Sequence, residues 1–306
     1  MDIKNVSVAE CEDHIDTQSR MLRNGGKQIM ANLFAGLEDL GLGGLNSEDV
    51  FKDDKKQEAA EEEKTPEAKE EDFVFDKTYT CPVCDHEFKS KVVRTGKVRL
   101  IGADSDLRPM YQDVDSLKYD AVMCPRCGYA ALSRYFDFVM NSQSKAIKDN
   151  ISANFKFKET DDPIFSYDDA ITRHKMALAC TVVKKGKSSE KAYTCLKLGW
   201  LFRGKREQLM KENDAAKDEI AQLFEAEKEC LTNAFEGFKD AFGKEDFPMC
   251  GMDQHTVLYL LGELAFRTGN IDEAKKYVSN VLVARDANNR IKNKALELKE
   301  RIQGNA

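Results

Sequence analysis

The sequence predicts an α+β, multidomain protein: a small β module, then an all-α helical domain, with a disordered acidic linker before the β module. Two Cys-x-x-Cys pairs lie among short β-favouring runs in residues 73–140. Apolar residues recur at helical spacing through residues 160–303. Residues 46–72 are acidic and have no large apolar residue between Phe51 and Phe73, so they cannot form a core.

The composition and the charge distribution argue against a membrane-spanning or secreted protein. The chain has 306 residues and a formal net charge of −7, but residues 53–72 alone hold ten acidic residues and four lysines, so the remainder is nearly neutral. No stretch approaches the ~20 apolar residues that span a bilayer, and the N-terminus lacks the cationic start and apolar run of a secretory signal. Nine cysteines, an odd number, do not indicate a disulfide framework. We therefore expect a cytoplasmic protein with no membrane association.

The first 45 residues divide at Met30. The preceding Gly-Gly-Lys-Gln-Ile can be encoded by a purine-rich ribosome-binding sequence at a sensible distance from a start codon. We expect either that Met30 begins the native chain and residues 1–29 are a mis-assigned upstream extension, or that residues 1–29 are a genuine disordered terminus. Residues 30–45 place Leu33 and Phe34 on one face of a short amphipathic helix. This helix docks either on its own protein or, as a tethered peptide, in the groove of a partner.

Residues 46–72 predict a disordered, self-repelling linker. The run is low in complexity and cannot bury enough apolar surface to offset the entropy of ordering it. The alternative is an acidic tail that captures a basic partner, although most charge runs are simply solvated.

The two cysteine pairs predict a metal site. Cys81 and Cys84 occur in TCPVCDHEF, and Cys124 and Cys127 occur in VMCPRCGY, each pair with proline after its first cysteine. Two such turns supply four thiolates in the closed, tetrahedral arrangement of a structural zinc ribbon. Rubredoxin-like iron is the alternative metal, whereas a redox dithiol would need a neighbouring βαβ pattern that is missing from the sequence. The expected cofactor is structural zinc held by these four cysteines.

The residues around the pairs agree with a closed metal site. Gly128 follows the second pair, where such a turn often needs positive φ, and Asp85 takes the equivalent place after the first pair. Thirty-nine residues separate Cys84 from Cys124, and closing that loop costs only about 0.4–0.6 kcal/mol more than closing 20 residues. Because four sulfurs complete the shell, His86 is not expected to be a ligand, and metal-assisted hydrolysis is disfavoured.

The loop between the pairs is crowded with polar side chains. Asp106, Arg108, Tyr111 and Tyr119 predict a polar recognition surface within residues 102–123. The alternative interpretation assigns these residues to turn formation, a local ion pair and tyrosines packed on a small sheet.

From Asp168 onward the pattern predicts about six helices. Lys185-Gly186 separates the first two, and Pro248 with Gly251 marks a later break. His174 and His255 lie on helices without partnering acids at catalytic spacing, so we assign them no chemistry. A long helix in between is expected to bury one apolar stripe, made of Ile220, Phe224, Leu231, Phe235, Phe238 and Phe242.

The last part of the chain carries a tetratricopeptide-like signature. Small and large residues recur in the helix–turn–helix pattern, with Gly199 matching Gly262 in a partial earlier copy. Trp200 is expected to lie in the core. Three cysteines beside apolar stripes also predict small core residues, namely Cys180, Cys195 and Cys230. The residues that match the repeat are Leu258, Leu261, Gly262, Gly269, Ala274 and Val281.

The segments CPVC, SDLRPMY, YDAVMCPRCGYAAL, LGWLFR and LLGELAFRTGNIDEA resemble a bacterial family grouped as domain of unknown function 2225. The resemblance covers roughly residues 73 to 302 and includes both cysteine pairs. It implies a cysteine-paired N-terminal module and a tetratricopeptide-like C-terminal part. It implies no particular reaction.

These patterns favour a non-catalytic, zinc-binding helical-repeat protein that acts as a protein or peptide interaction module. One alternative is a nucleic-acid-associated factor, although residues 81–135 hold only nine Lys or Arg against seven Asp or Glu. A second alternative is an enzyme whose site lies between the two domains and uses Asp106, Arg108 and Tyr111. No nucleophile-and-base constellation or phosphate loop in the sequence supports it.

Overall fold

The computed structural model describes residues 69–157, 162–212 and 217–304. The expectations for residues 1–29, for the amphipathic segment 30–45 and for nearly all of the linker 46–72 lie outside these described residues. The described residues all fall within one compact unit. No helix in them combines the length and the apolar character needed to cross a bilayer.

The described part of the chain contains six strands that form three antiparallel pairs: β1 with β2, β3 with β4 and β5 with β6. In β2, buried Phe88 and Ser90 alternate with exposed Glu87 and Lys89, as expected for a strand with one covered face. The strands are β1 (Val74–Thr80), β2 (Glu87–Val93), β3 (Leu100–Ala103), β4 (Pro109–Tyr111), β5 (Ala121–Met123) and β6 (Ala130–Leu132).

The β-favouring runs of the sequence, at residues 88–93, 97–101 and 119–123, correspond to β2, β3 and β5. The last of these begins later than its run, at Ala121, because residues 116–119 form a 3₁₀ turn instead. The Asp115 side chain caps that turn by accepting a hydrogen bond from the Leu117 N–H at 3.0 Å, and such local capping outcompetes strand pairing.

Seven α-helices follow in the described residues, and the six from α2 onward agree with the expected number. A capping box between Ser166 and Asp169 fixes the start of α2, and Lys185, at φ +53°, follows its end. The first helix was not predicted because it is short, polar and buries only Ile147. The helices are α1 (Asn141–Ile147), α2 (Tyr167–Val183), α3 (Ser188–Glu212), α4 (Lys217–Phe242), α5 (Gln254–Arg267), α6 (Ile271–Val283) and α7 (Asn289–Gly304).

The stripe expected on α4 is correct for Leu231, Phe235 and Phe238, which are buried, but wrong for Phe224, which is 48% exposed. The buried face runs instead through Leu223, and residue 224 lies about 100° around the helix from it. The Phe224 ring has a partner outside the core, since the Arg206 guanidinium lies 5.3 Å from its centroid.

Glycines allow neighbouring helices to approach each other at the positions that the repeat signature predicts. A Cβ at Gly262 of α5 would lie 3.4 Å from the Cβ of Tyr277 in α6, and one at Gly199 of α3 would lie 3.3 Å from the Cβ of Cys230 in α4. Gly269 adopts φ +85° in the α5–α6 turn. The helix–turn–helix is therefore present, while its assignment to the tetratricopeptide class stays a prediction.

The strands and the helices share a core. Ala177 and Cys180 of α2 belong to the same buried cluster as Val122 and Met123 of β5. Segments 73–140 and 160–303, which the sequence separates by pattern, therefore meet along α2. This contact fixes the position of the second cysteine pair relative to the helices.

Candidate metal centre

The first cysteine pair lies at the tip of the β1–β2 hairpin. The Cys81 N–H donates to the carbonyl of His86 at 2.9 Å, and the Asp85 N–H donates to the carbonyl of Cys81 at 2.9 Å. Asp85 adopts φ +57°, a conformation that aspartate tolerates better than most residues. This tight turn places the sulfurs of Cys81 and Cys84 on the same side of the hairpin tip.

The second pair lies at the tip of the β5–β6 hairpin and repeats the same turn. The Cys124 N–H donates to the carbonyl of Tyr129 at 2.8 Å, and the Gly128 N–H donates to the carbonyl of Cys124 at 3.0 Å. Gly128 adopts φ +74°, and a Cβ there would lie 2.5 Å from the ring of Phe155. Glycine is therefore required at this position both by backbone conformation and by space.

The two tips bring four sulfurs together. The ligand atoms of Cys81, Cys84, Cys124 and Cys127 all lie within 4.8 Å of one another. Sγ of Cys81 lies 3.6 Å from Sγ of Cys127, and Sγ of Cys84 lies 3.7 Å from Sγ of Cys124. Tetrahedral ligands at the zinc–sulfur bond length of ~2.3 Å would be about 3.8 Å apart. The donor set therefore fits a tetrahedral, thiolate-bound metal ion.

The ionisation of the four cysteine thiols favours the binding of a cation. Hydrogen bonds from Cys127 and Cys81 lower the pKa of the Cys124 thiol to about 2. The same contact with Cys124 raises the pKa of Cys127 and raises that of Cys81 to about 12. Before a cation binds, the cluster thus shares protons among close sulfurs, because several thiolates at this distance would repel one another. Binding of a metal ion would release these protons.

The cluster is sealed by its surroundings. Cys81 and Cys124 are fully buried, Cys127 is 5% exposed and Cys84 is half-buried. Buried apolar residues of both hairpins surround the sulfurs, and the Tyr129 hydroxyl donates to the carbonyl of Phe136 at 2.9 Å. Four protein ligands in a buried position leave no open place for water or substrate on the ion.

Groups outside the two hairpins hold the second tip in place. The Ala130 N–H donates to Sγ of Cys180 in α2 at 3.4 Å, and the Cys180 thiol donates to the carbonyl of Gly128 at 3.6 Å. The Ser152 hydroxyl donates to the carbonyl of Cys127 at 2.8 Å. Burial raises the pKa of the Cys180 thiol, which keeps it neutral and able to donate. Its core position was predicted, but its contact with the metal-binding turn has no local signal in the sequence.

Burial removes most of the side chains from the polar recognition surface that the loop predicts. Asp106 is fully buried, Arg108 is 7% exposed and Tyr119 is 4% exposed, while Tyr111 is half-buried. The Tyr119 hydroxyl donates to the Glu70 carboxylate at 2.7 Å. Spacing along the chain does not reveal that residues 104–108 fold against the helices, where burial and pairing withdraw these groups from solvent.

Asp106 and its neighbours instead form a buried ion cluster with the helices. The Arg203 guanidinium of α3 contacts Asp106 at 3.0 Å and Glu227 of α4 at 2.7 Å. Arg108 pairs with Asp104 at 2.7 Å and with Glu207 at 2.8 Å. Although burial opposes it, the paired guanidinium of Arg203 holds the pKa of Asp106 below its usual range.

The same loop also reaches α5 and α7 through Ser105. Its hydroxyl donates to the buried carboxylate of Glu263 at 2.7 Å, and its carbonyl accepts from the Tyr259 hydroxyl at 2.6 Å. Arg267 and Arg301 also pair with Glu263. The sequence did offer one signal for such a cluster: Glu227 stands among buried leucines on α4, where an unpaired charge would be costly.

Arg108 and Tyr111 do line a cleft of about 800 Å³ beside the start of α2, but Asp106 does not. Asp115 also lines it; its carboxylate accepts hydrogen bonds from Leu117 N–H and from the Tyr167 hydroxyl at 2.8 Å. Burial raises the pKa of Asp115. The three residues assigned to the enzyme alternative are therefore not assembled around one cavity.

Two basic side chains of the β1–β2 hairpin contact other groups of the protein. Lys91 lies 3.4 Å from the carboxylate of Asp76, and the Arg94 guanidinium, just after β2, lies 5.0 Å from the centroid of the Phe75 ring. The ion pair offsets the charge that Lys91 offers to a phosphate backbone.

No curated protein and no solved structure matches the chain. A family model described as an uncharacterized protein conserved in bacteria, domain of unknown function 2225, matches residues 74–302. The match spans both hairpin tips, the ion-paired loop and the helices through α7. Because this match includes the cysteine cluster and the helical region, the chain belongs to the bacterial family of domain of unknown function 2225.

Proposed function

We propose that this protein is a non-catalytic, zinc-binding interaction module that works in the bacterial cytoplasm and binds a protein or peptide through its helical region. The observation that carries the proposal is the convergence of four cysteine sulfurs, three of them on buried residues, from two hairpin tips. A closed thiolate site stabilises a fold and offers no catalytic position. A reducing compartment keeps these thiols available to the metal.

Zinc is the metal that suits this donor set best. Four thiolates at tetrahedral spacing select zinc or iron, and zinc is the common structural ion at paired Cys-x-x-Cys turns. Metal analysis of the purified full chain should give about one zinc per chain, with no visible thiolate-to-iron absorption. If the protein contained iron, the assignment of zinc would be wrong. If the reduced protein were folded without any metal, the proposal would be contradicted.

The absence of catalysis is supported by how the polar groups are engaged. The most buried acids near the loop, Asp106 and Glu263, are held in ion pairs with Arg203 and Arg301. Groups neutralised in this way are poorly placed to exchange protons with a substrate. The helical region, by contrast, leaves an apolar groove along α3, which suits a binding role.

The interaction role is tested by recovering partners with the tagged full chain from extracts of the native host. We expect a specific polypeptide with the wild-type protein and its loss with Cys124→Ser, because the metal stabilises the fold that presents the helices. The control is Cys250→Ser, which alters a cysteine outside the metal cluster. Recovery of nucleic acid that falls steeply with salt, and of no polypeptide, would overturn the proposal in favour of the nucleic-acid alternative.

A further inference from the structure

The groove in the helical region is built from three helices. Its floor is one face of α3, where Ala192, Cys195, Leu198 and Phe202 recur at spacings of three or four residues. The helices α2 and α4 form the two walls, and the cavity between them measures about 620 Å³. A helix flanked by two others in this way leaves a channel that runs along its own axis.

The floor and the upper edge of the groove are apolar, and the floor side chains lie deep, with exposed fractions of 1–8%. Burial raises the pKa of the Cys195 thiol to about 11 and that of Cys230 to about 12, so both remain uncharged at neutral pH. Val182 stands on the α2 wall with 55% of its surface exposed. Gly237 of α4 also lines the cavity, and a Cβ there would lie 2.9 Å from the Cβ of Ala192, so this glycine lets α3 and α4 pack closely. Apolar surface of this kind is stabilised by being covered.

The two walls carry opposite charge. On α4, exposed Glu229 and Glu236 line the groove, and neither forms an ion pair with another described residue. Asp240 lies further along the same wall and contacts Ser188 and Lys244. On the other side, the ammonium group of Lys175 in α2 lies 5.5 Å from the centroid of the Phe202 ring. The α4 wall thus carries the acidic side chains of the groove, while Lys175 and Lys191 are the basic side chains that line it.

We infer that this groove binds an amphipathic α-helix of a partner protein, with apolar side chains inserted between α2 and α4 and lysine or arginine side chains along the flank that faces α4. This inference rests on the proposed function and names the class of partner. The floor from Ala192 to Phe202 is about 15 Å long, so it accommodates about three turns of helix. Apolar anchors at i, i+3 or i+4, and i+7 match this mode of recognition.

The test uses two labelled model peptides of about four helical turns and the full chain. Both carry the same leucine stripe; one has lysines along one flank, and the other has glutamates in those positions. At low salt the lysine peptide should bind at least about fivefold more tightly, as expected for two exposed ion pairs, and the difference should shrink at about 0.5 M salt. Equal binding of both peptides, or binding of neither, would overturn the inference.

Charge reversal on the wall sharpens the test. The double variant Glu229→Lys and Glu236→Lys should reverse the preference between the two peptides, because both side chains are exposed and the fold should not depend on them. The matched control is Asp218→Lys with Glu225→Lys, which makes the same change of charge on α4 outside this groove. An unchanged preference in the first variant would contradict the assigned wall.

The outcomes separate this inference from the proposed function. If the host partner is captured equally well by wild type and by the Glu229→Lys and Glu236→Lys variant, the interaction role stands and the groove assignment falls. Binding restricted to a synthetic peptide of residues 27–45, or a rise in mass with concentration, would assign the groove to a different occupant and likewise overturn the inference.

Discussion

The cysteine hairpin tips and the ion-paired loop at residues 104–108 both join distant parts of the chain, but they do so by different physics. At the tips, the four sulfurs repel one another as thiolates and gain stability only when a cation binds. In the loop, Asp106 and Arg203 bring opposite charges that neutralise each other within the protein. With the proposed metal, the first junction would depend on an external ion, and the second is complete without one.

The difference also decides what each junction contributes. Structural zinc adds on the order of 10 kcal/mol or more of coupled binding and folding free energy. A buried ion pair adds little net stability over an apolar substitute, but removing one member leaves an uncompensated charge. A metal bound at the four cysteines would therefore stabilise the β region, whereas the ion cluster mainly specifies where the loop sits on the helices.

The largest expected effect follows from removing one metal ligand. Cys124→Ser should abolish stoichiometric zinc binding and unfold the β region, with a loss on the order of 10 kcal/mol of coupled binding and folding. Metal analysis and hydrogen exchange of β1, β2, β5 and β6 measure it. Cys250→Ser should retain zinc and protection. Normal protection in metal-free Cys124→Ser would show that the tips, like the loop, need no external ion.

The second prediction concerns the ion cluster. Arg203→Met should lower the free energy of unfolding by up to about 3–5 kcal/mol, because buried Asp106 and Glu227 would lose their shared counterion and keep only Arg267 and Arg206, respectively. Chemical denaturation of the zinc-loaded protein measures the change. The control is Lys205→Met, which removes only partly exposed pairs with Asp168 and Glu219 and should cost less than about 1 kcal/mol. Equal effects of the two substitutions would show that the cluster is not desolvated.

The third prediction separates backbone strain from crowding at the second tip. Gly128→Ala should cost about 2–4 kcal/mol, since it combines positive φ with a collision against Phe155. Gly269→Ala also places alanine at positive φ, but no neighbouring atom lies within 4 Å of the added Cβ. It should therefore cost only about 1–2 kcal/mol. Chemical denaturation compares the two, and Phe155→Ala in the Gly128→Ala background should recover part of the loss. No recovery would mean that Phe155 does not crowd this turn.

The smallest effect concerns pH and a group that belongs to neither junction. Burial lowers the pKa of His174 to about 4, and nearby Lys197 lowers it further, while Asp120 acts in the opposite direction. The ring contacts the Ala170 carbonyl at 2.8 Å. A depressed folded-state pKa contributes stability above the unfolded pKa of about 6.5, and this stability is lost as pH falls toward 4. From this group alone, the protein should be about 2 kcal/mol less stable at pH 5 than at pH 7.

The substitution His174→Asn removes this titration. Because acid also releases metal from thiolates, the measurement is the difference between wild type and His174→Asn in unfolding free energy at the two pH values. That difference should diminish by about 2 kcal/mol on going from pH 7 to pH 5. A constant offset would show that the ring is not neutral and buried in the folded state.

Local pattern predicted the parts of the fold that local physics controls. Gly128 and Asp85 predicted the turn after each cysteine pair. The Lys185-Gly186 pair and Gly269 of the repeat signature predicted the breaks between helices. Phe224 was misassigned because an apolar residue on a helix does not state which side the core occupies. Asp106 was misassigned because polarity predicts exposure unless a counterion comes from elsewhere.

The sequence by itself determined that two Cys-x-x-Cys turns can share one metal ion and that α-helices follow the strands. Each of these depends on residues a few positions apart, where turn geometry and helical period act directly. Only the tertiary structure decided that Cys180 supports the second turn, that Arg203 neutralises Asp106, and that α2 and α4 flank a groove along α3. These contacts join residues that are tens of positions apart in the chain, and burial and charge pairing between such residues are set by how the elements pack.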